Sequence, residues 1–378
     1  MRILQISSAL DERFGGPPNV VSNLQRQFEN YNPLNSLLVF GQGRSSSLDS
    51  YENCELKYSK VTYFRRKRSS QYGKLLNLAE LRIFIAQFKK CDIVITHQVY
   101  NFQNIYVYFF SKILRKPYVM IPHGTLTDRI RKVNYAKKFI PDWLIFSRII
   151  LNAIQIGVAS RMEFDQLPPA FKSKGTIFGM GIPKLSTEVG KISGVAPTKV
   201  FLFLGRITEV KGLRNTVRAF EVLRKIHPDI TLKIAGDGDA NFISGLKLLV
   251  TKLGIGNFVE FHGWANSKDK EKLFKECDYL ILNSESENFA MVVAEAQLRG
   301  LPVLVTRNVG IAEIVAEVNS GVVIENSEVD KIVSGVNELI TNDYLSMSKN
   351  GREKMRDLAW ENVASYWINS IEKSITKR

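Results

Sequence analysis

Along the first half of the chain, short apolar, β-branched runs alternate with stretches of helical period, at residues 3–7, 36–40, 92–96, 118–121, 155–159 and 176–178. Strands joined by helix-length connections pair in parallel and are covered on both faces, so this pattern predicts a parallel sheet between helix layers. A polar segment with scattered Gly and Pro, residues 184–199, reads as a linker that closes the first domain at residue 183. The pattern then resumes with predicted strands at 200–204, 231–235, 259–261, 279–283, 302–306 and 321–324, and amphipathic helices at 213–226 and 270–275. Val200-Phe201-Leu202-Phe203-Leu204 has no polar face, as a strand buried on both sides requires. The expectation is an α/β chain of two doubly wound domains, 1–183 and 200–359. Ligands of such open sheets bind beyond the carboxyl ends of the strands, so two in tandem are expected to face each other across a cleft.

Composition adds limits. With 45% hydrophobic and 24% charged residues over 378 positions, the chain is a folded protein rather than a disordered or collagen-like one. Three widely spaced cysteines, Cys54, Cys91 and Cys277, give neither a disulfide framework nor a zinc knuckle, which fits a reducing cytoplasm. The first apolar run is too short for a secretion signal, and the stretch 139–159 is broken by Asp142 and Arg148, so no bilayer span is expected.

Charge separates the halves. The net is +15, and residues 1–190 carry 27 basic and 13 acidic side chains against 25 and 24 in the remainder. Nucleic acid, an anionic membrane surface and an acidic substrate all reward such a basic half. No aromatic-basic RNA motif or helix-turn-helix spacing is present, so no nucleic-acid partner is expected. Arg65-Arg66-Lys67-Arg68 and Arg129-Ile130-Arg131-Lys132, with Lys137, Lys138 and Trp143, fit an anionic bilayer surface, and fit a merely solvated basic face equally well.

Candidate chemistry gathers at strand ends in the second half. After 279–283 come Ser284-Glu285-Ser286-Glu287-Asn288-Phe289-Ala290-Met291-Val292, then Glu295 and a stop at Gly300. A helix starting near Ala290 offers free N–H groups around Phe289 to Val292, and the positive end of its dipole suits a diphosphate. Glu287 stands before this helix and Glu295 about one and a half turns into it. Carboxylates repel phosphate but accept from the hydroxyls of a ribose or a sugar. Each acid alone also fits a plainer role, Glu287 as a capping acid and Glu295 as a solvated one. The turn Gly205-Arg206-Ile207-Thr208-Glu209-Val210-Lys211-Gly212 brings two cations, Arg206 and Lys211, which would stabilise charge growing on a leaving diphosphate, or pair with Glu209 at the surface.

Three further segments are weaker. Gly15-Gly16-Pro17-Pro18-Asn19 allows close approach of backbone to a ligand and starts a helix well, or is simply a tight turn. His123 in Pro122-His123-Gly124 follows a strand end, where an imidazole can bond a hydroxyl; His97 is its competitor. Asp237-Gly238-Asp239 invites a divalent cation but has no third ligand nearby, and reads as a strand-ending turn.

Together these segments resemble the retaining glycosyltransferases of family 4. The resemblance is carried by Gly15-Gly16-Pro17, Pro122-His123-Gly124, Gly205-Arg206 through Lys211-Gly212, Ala235-Gly236-Asp237-Gly238, Phe261-His262-Gly263 and the E-x7-E pair Glu287 and Glu295, and spans almost the whole chain. It implies the GT-B fold, two Rossmann-like domains with a last helix, about 360–378, packed back on the first. It implies transfer of a hexose from a nucleotide diphosphate sugar, such as UDP-glucose, to a glycan or lipid-linked acceptor in cell-surface polysaccharide synthesis. His123, Glu287, Arg206 and Lys211 would be catalytic: the two cations on the diphosphate, Glu287 and His123 on the sugar. Glu295 would hold the ribose, and Gly16, Gly236, Gly263, Trp264, Asn288, Phe289, Ala290, Met291 and Val292 would complete the donor site. Asn19, His97, Arg129 and Lys132 are the acceptor-side candidates. No cofactor or metal is expected. The pattern lacks the paired carboxylates of a double-displacement enzyme, so front-face transfer with retention is expected, the leaving diphosphate helping to deprotonate the acceptor. The chain departs from the family at 159–163, at 179–182, and at Ala290, where Gly is usual. An epimerase or a phosphorylase can share the fold, and a basic nucleic-acid- or membrane-binding protein is the non-enzymatic alternative.

Overall fold

Among the residues that the computed structural model describes, 1–8, 10, 16–40, 60–64, 75–127, 145–183 and 197–376, thirteen strands form two wholly parallel sheets. The first contains β1 (Ile3–Ser7), β2 (Ser36–Val39), β3 (Lys60–Tyr63), β4 (Ile93–His97), β5 (Tyr118–Ile121), β6 (Gln155–Val158) and β7 (Gly175–Ile177), in the order β3-β2-β1-β4-β5-β6-β7. The second contains β8 (Val200–Leu204), β9 (Thr231–Ala235), β10 (Val259–Gly263), β11 (Tyr279–Leu282), β12 (Val303–Thr306) and β13 (Gly321–Ile324), in the order β10-β9-β8-β11-β12-β13. In each sheet the chain builds outward from a central strand, then jumps back to that strand's other side. The reversals fall between β1 and β4 and between β8 and β11, and beyond the carboxyl ends of such a pair lies the usual ligand position of a doubly wound sheet.

The chain divides into two units, Met1–Gly181 with Trp360–Arg378, and Ile182–Ala359. The expected linker lies, over residues 184–196, outside the described residues. Of the expected strands, those at 3–7, 118–121, 200–204, 231–235 and 321–324 have the predicted limits, and the others shift by one or two residues. β3 was not expected. It is a four-residue edge strand in which Val61 and Thr62 are half-buried and Tyr63 exposed, so it carries little of the apolar run by which the other strands are recognised.

The first core is rich in aromatic side chains. Phe40 meets Phe64 and Phe84, and Phe84 meets Phe88 and Phe110, with ring centroids 5.0 to 6.1 Å apart. Burying each fully is worth roughly 1.5–3 kcal/mol. The helix Trp360–Thr376 completes this unit: Trp367 is buried, its ring lies 4.5 Å from that of Phe178, and its Nε1–H donates to the Phe178 carbonyl at 3.0 Å. Gly181 leaves room for Trp360, whose indole stands 2.2 Å from where a Cβ would be. In the second unit, Phe201 stacks on Tyr279 at 4.8 Å across the pairing of β8 with β11. No described helix is long and apolar enough to cross a membrane.

Candidate functional site

In the second unit, the loops leaving β8 and β11 are sewn together by one side chain. Asn283, wholly buried just past β11, accepts from Thr216 Oγ1 (2.7 Å) and donates to the Gly212 carbonyl (3.2 Å) and to Ser327 Oγ (2.6 Å). The backbone adds Glu285 N–H to the Val210 carbonyl at 2.9 Å. Gly212 has φ 70°, and a Cβ there would lie 2.4 Å from Asn283 Nδ2 and from Ser327 Oγ, so no other residue fits without displacement. Residues 205–212 and 283–290 thus share one hydrogen-bonded floor.

On that floor Lys211 and Glu287 are in contact as an ion pair, their side chains 18% and 21% exposed. Burial, with the Arg206 charge beside it, draws the Lys211 ammonium down from 10.5 to about 8, while the Glu287 carboxylate pulls the other way. Arg206 is exposed and, among the described residues, makes no hydrogen bond or ion pair. The backbone of Glu287 is fixed by its N–H to the Asn308 carbonyl (3.0 Å) and by the Gly310 N–H to its own carbonyl (2.9 Å).

The helix Met291–Leu298 follows. Its N-cap is Ala290 in the left-handed region, φ 73°, and no side chain caps it. By helix geometry the Met291 and Val292 N–H groups have no carbonyl of their own helix to bond. Glu295 is paired with Lys270 of the helix Ser267–Glu276 at 2.7 Å. Arg206, Lys211, Glu287 and an uncapped helix start therefore follow the carboxyl ends of β8 and β11, with the Glu295–Lys270 pair one turn into that helix. This chemistry suits a ligand with a diphosphate and several hydroxyls.

Several expectations are corrected by this geometry. Glu287 is not the capping acid, because Ala290 holds the cap position and the Glu287 carboxylate goes to Lys211. Glu209 is not the partner of Lys211. Glu295 is not merely solvated. Gly236 is explained by packing: a Cβ would stand 1.8 Å from the Gly205 carbonyl oxygen. Phe289 is buried in the core, so only its backbone is open to a ligand role. Asn288, Met291 and Val292 are half-buried, Gly263 has φ 69° with open space where a Cβ would lie, and Trp264 is 64% exposed. Asp237 accepts from the Gly238 N–H, and Asp239 caps the helix Ala240–Lys252. Among the described residues no group of three or more His, Cys, Asp or Glu is placed to hold a metal ion.

In the first unit, Gly16 is exposed at the start of the helix Gly16–Tyr31, and Asn19 is exposed one turn on, its carbonyl accepting from Asn23. Gly15, Arg129 and Lys132 lie outside the described residues, as do the basic clusters at 65–68 and 129–138 and Trp143. His123 is half-buried on a left-handed turn (φ 50°) after β5. Glu163, almost wholly buried, holds that turn: its carboxylate accepts from Gly124 N–H at 2.6 Å and Ala159 N–H at 2.7 Å. His97 is 1% exposed with both ring nitrogens engaged, Nε2 2.8 Å from Gln5 Oε1 and Nδ1 2.9 Å from His123 Nε2. It therefore stands behind His123 and is not placed to touch an acceptor. Desolvation holds both rings well below the usual imidazole range, His123 at about 4.

Asn283, Lys270, Glu163 and the Gln5–His97 contact were not anticipated. Gln5, the polar residue inside an apolar strand, was the available signal, with Gln25 and Glu29 one helical turn apart on the buried face of the first helix.

Residues 190–356 match the family described as glycosyl transferases group 1. An uncharacterized glycosyltransferase of Methanocaldococcus jannaschii is 30% identical over 175 residues, 45% of this chain and 44% of that protein, so the match spans less than half of either. Another from the same organism is 24% identical over 318 residues, 83% of this chain and 84% of that one. Among solved structures, HepE of Anabaena, in complex with UDP and glucose, superposes with a TM-score of 0.74 at 17% identity, covering 98% of this chain and 99% of HepE. The two parallel-sheet, Rossmann-like units are thus those of the GT-B fold, and the family match of residues 190–356 lies within the second of them.

Proposed function

We propose that the chain is a retaining glycosyltransferase that moves a hexose from a nucleotide diphosphate sugar to a hydroxyl of a glycan or lipid-linked acceptor. The observation that carries this reading is the contact of Lys211 with Glu287 beside Arg206 and the uncapped start of Met291–Leu298. A diphosphate competes for Lys211 and frees Glu287 to accept from sugar hydroxyls, while Glu295 accepts from the ribose. As the bond between sugar and phosphate breaks, negative charge grows on the departing oxygen. Lys211, Arg206 and the Met291 and Val292 N–H groups stabilise that charge more in the transition state than in the bound donor. The acceptor hydroxyl attacks from the same face and gives its proton to the departing phosphate oxygen. His123 accepts from a substrate hydroxyl. The UDP- and glucose-bound neighbour supports UDP-glucose or a close relative as the donor in this reading, and a cell-surface polysaccharide is the product we propose. No metal is required.

The test is release of nucleoside diphosphate from a panel of nucleotide sugars with and without acceptor, and the anomeric configuration of the product by NMR. Arg206→Ala, Lys211→Ala and Glu287→Ala are each expected to lower turnover about 100-fold or more. Near-normal turnover in all three overturns the assignment. Formation of an epimer without acceptor would favour an epimerase, and loss of activity with a chelator would return Asp237 and Asp239 to the site.

One observation favours a membrane-borne acceptor. Leu75, Leu78, Phe109 and Ile113 are 56–79% exposed in the first unit, with Lys112, Arg115 and Lys116 alongside. Apolar side chains flanked by cations suit an anionic bilayer surface. Flotation with anionic vesicles but not with neutral ones is the expected result; equal behaviour with both removes the membrane from the proposal.

A further inference from the structure

Packing of a parallel sheet does not explain a run of buried polar side chains in the first unit. Gln5 in β1, Gln25 and Glu29 on the helix Gly16–Tyr31, and His97 at the end of β4 are all at most 4% exposed. They are joined end to end. Glu29 Oε1 accepts from Gln25 Nε2 at 2.9 Å, and Gln25 Oε1 accepts from Gln5 Nε2 at 2.8 Å. Gln5 Oε1 lies 2.8 Å from His97 Nε2, and His97 Nδ1 lies 2.9 Å from His123 Nε2.

The direction of this chain is set at its far end. A carboxylate and a backbone carbonyl only accept, so the Gln25 amide nitrogen faces Glu29, and the Gln5 nitrogen faces Gln25 and, at 3.5 Å, the Val21 carbonyl. That leaves the Gln5 oxygen for His97, whose Nε2 must carry a hydrogen. Burial keeps both rings neutral at neutral pH. A neutral His97 with Nε2–H has a bare Nδ1, which accepts from the Nε2–H of His123. One nitrogen of His123 is then left without a hydrogen, Nδ1.

We infer that Glu29, Gln25, Gln5 and His97 are positioning residues that hold His123 with Nε2 protonated, so that its Nδ1 accepts a hydrogen bond from a substrate hydroxyl. The identity of that hydroxyl as a sugar or acceptor group rests on the proposed transfer reaction; the state of the ring does not. The Val21 carbonyl, at 3.5 Å from Gln5 Nε2, is too long a contact to fix the direction alone, so the carboxylate at position 29 is the element that matters, because an amide there can donate as well as accept.

The test uses the full chain labelled with ¹⁵N-histidine. In the wild type, long-range ¹H–¹⁵N spectra at neutral pH are expected to show His97 and His123 both protonated on Nε2. Glu29→Gln, nearly isosteric, is expected to admit an Nδ1–H population at His123. It should lower transfer kcat about tenfold, the effect of about one lost hydrogen bond, with donor KM changed less than about twofold. The double variant Glu29→Gln with Gln5→Glu restores an acceptor-only group beside His97, and is expected to recover the wild-type ring state and most of kcat. A wild-type His123 protonated on Nδ1, or a Glu29→Gln protein with unchanged spectra, overturns the chain of direction. Shifted spectra with wild-type kcat overturn the positioning role. If the wild type turns over no nucleotide sugar, the transfer reading fails while the spectra still decide the ring.

Discussion

Asn283→Ala addresses the floor that carries Lys211 and Glu287. The side chain is fully buried and makes three hydrogen bonds, to Thr216, to the Gly212 carbonyl and to Ser327. Each is worth about 1 kcal/mol net, and a partner stranded away from water costs a further ~1–3 kcal/mol. Thr216 keeps a second acceptor in the Gly212 carbonyl at 3.2 Å, which limits its share. The expected loss is about 3–5 kcal/mol for Asn283→Ala and about 1–2 kcal/mol for Thr216→Val, which removes the hydroxyl shared between Asn283 and the Gly212 carbonyl. Native-state hydrogen exchange of the β8 and β11 amides reads these values in the second unit alone, whatever the first unit does. Donor affinity should fall at least tenfold in Asn283→Ala, because the loops bearing Lys211 and Glu287 lose their common anchor. A drop in opening free energy below ~1 kcal/mol would show that the loops are held by something else.

Protonation and backbone geometry supply the other predictions. An unfolded chain protonates its histidines from about pH 6.5 downward, whereas His123 in its buried pair with His97 resists until about 4. Stability present above pH 6.5 is therefore lost as the pH falls through that window, by up to about 3 kcal/mol from His123, and His123→Gln should lessen the dependence of the urea midpoint on pH, with His97 supplying what remains. A wild-type midpoint that stays constant between those limits refutes the assignment. With Lys211 at about 8, donor kcat/KM should fall as the pH rises past that value, and Lys211→Arg should move the decline out of range; a decline unchanged in the variant belongs to another group. Ala290 in the left-handed region costs about 1–2 kcal/mol, of which glycine's greater freedom when unfolded returns about 0.5–1 kcal/mol, so Ala290→Gly should raise stability by about 0.5–1 kcal/mol in urea titration; a decrease contradicts the strain.

Strands such as β8 and β11 are legible in the sequence because burial on both faces leaves no polar position, and the turns after them follow from where those runs stop. β3 is illegible for the converse reason: at a sheet edge, half in water, it needs few apolar residues. The two acids and two cations of the second unit are visible from their place after strands. Their pairing, Lys211 with Glu287 and Glu295 with Lys270, is not, since it joins loops and helices distant in sequence. His97 and His123 look alike as histidines at strand ends. Only the neighbours from β1 and the first helix, which bring Gln5, Gln25 and Glu29 beneath them, assign one ring to the interior and the other to the rim.

The helix Trp360–Thr376 gives Trp367 to the unit that β1 begins, so the second unit is an insertion within the first. On a ribosome, the later-made sheet has all its strands while the earlier one still lacks its closing piece. Synthesis thus finishes the first unit last, and until then Phe178 and Gly181 offer a hydrophobic seat to chaperones and proteases. A nonsense codon just ahead of Trp360 should accordingly leave the inserted unit folded and send the flanking one to degradation.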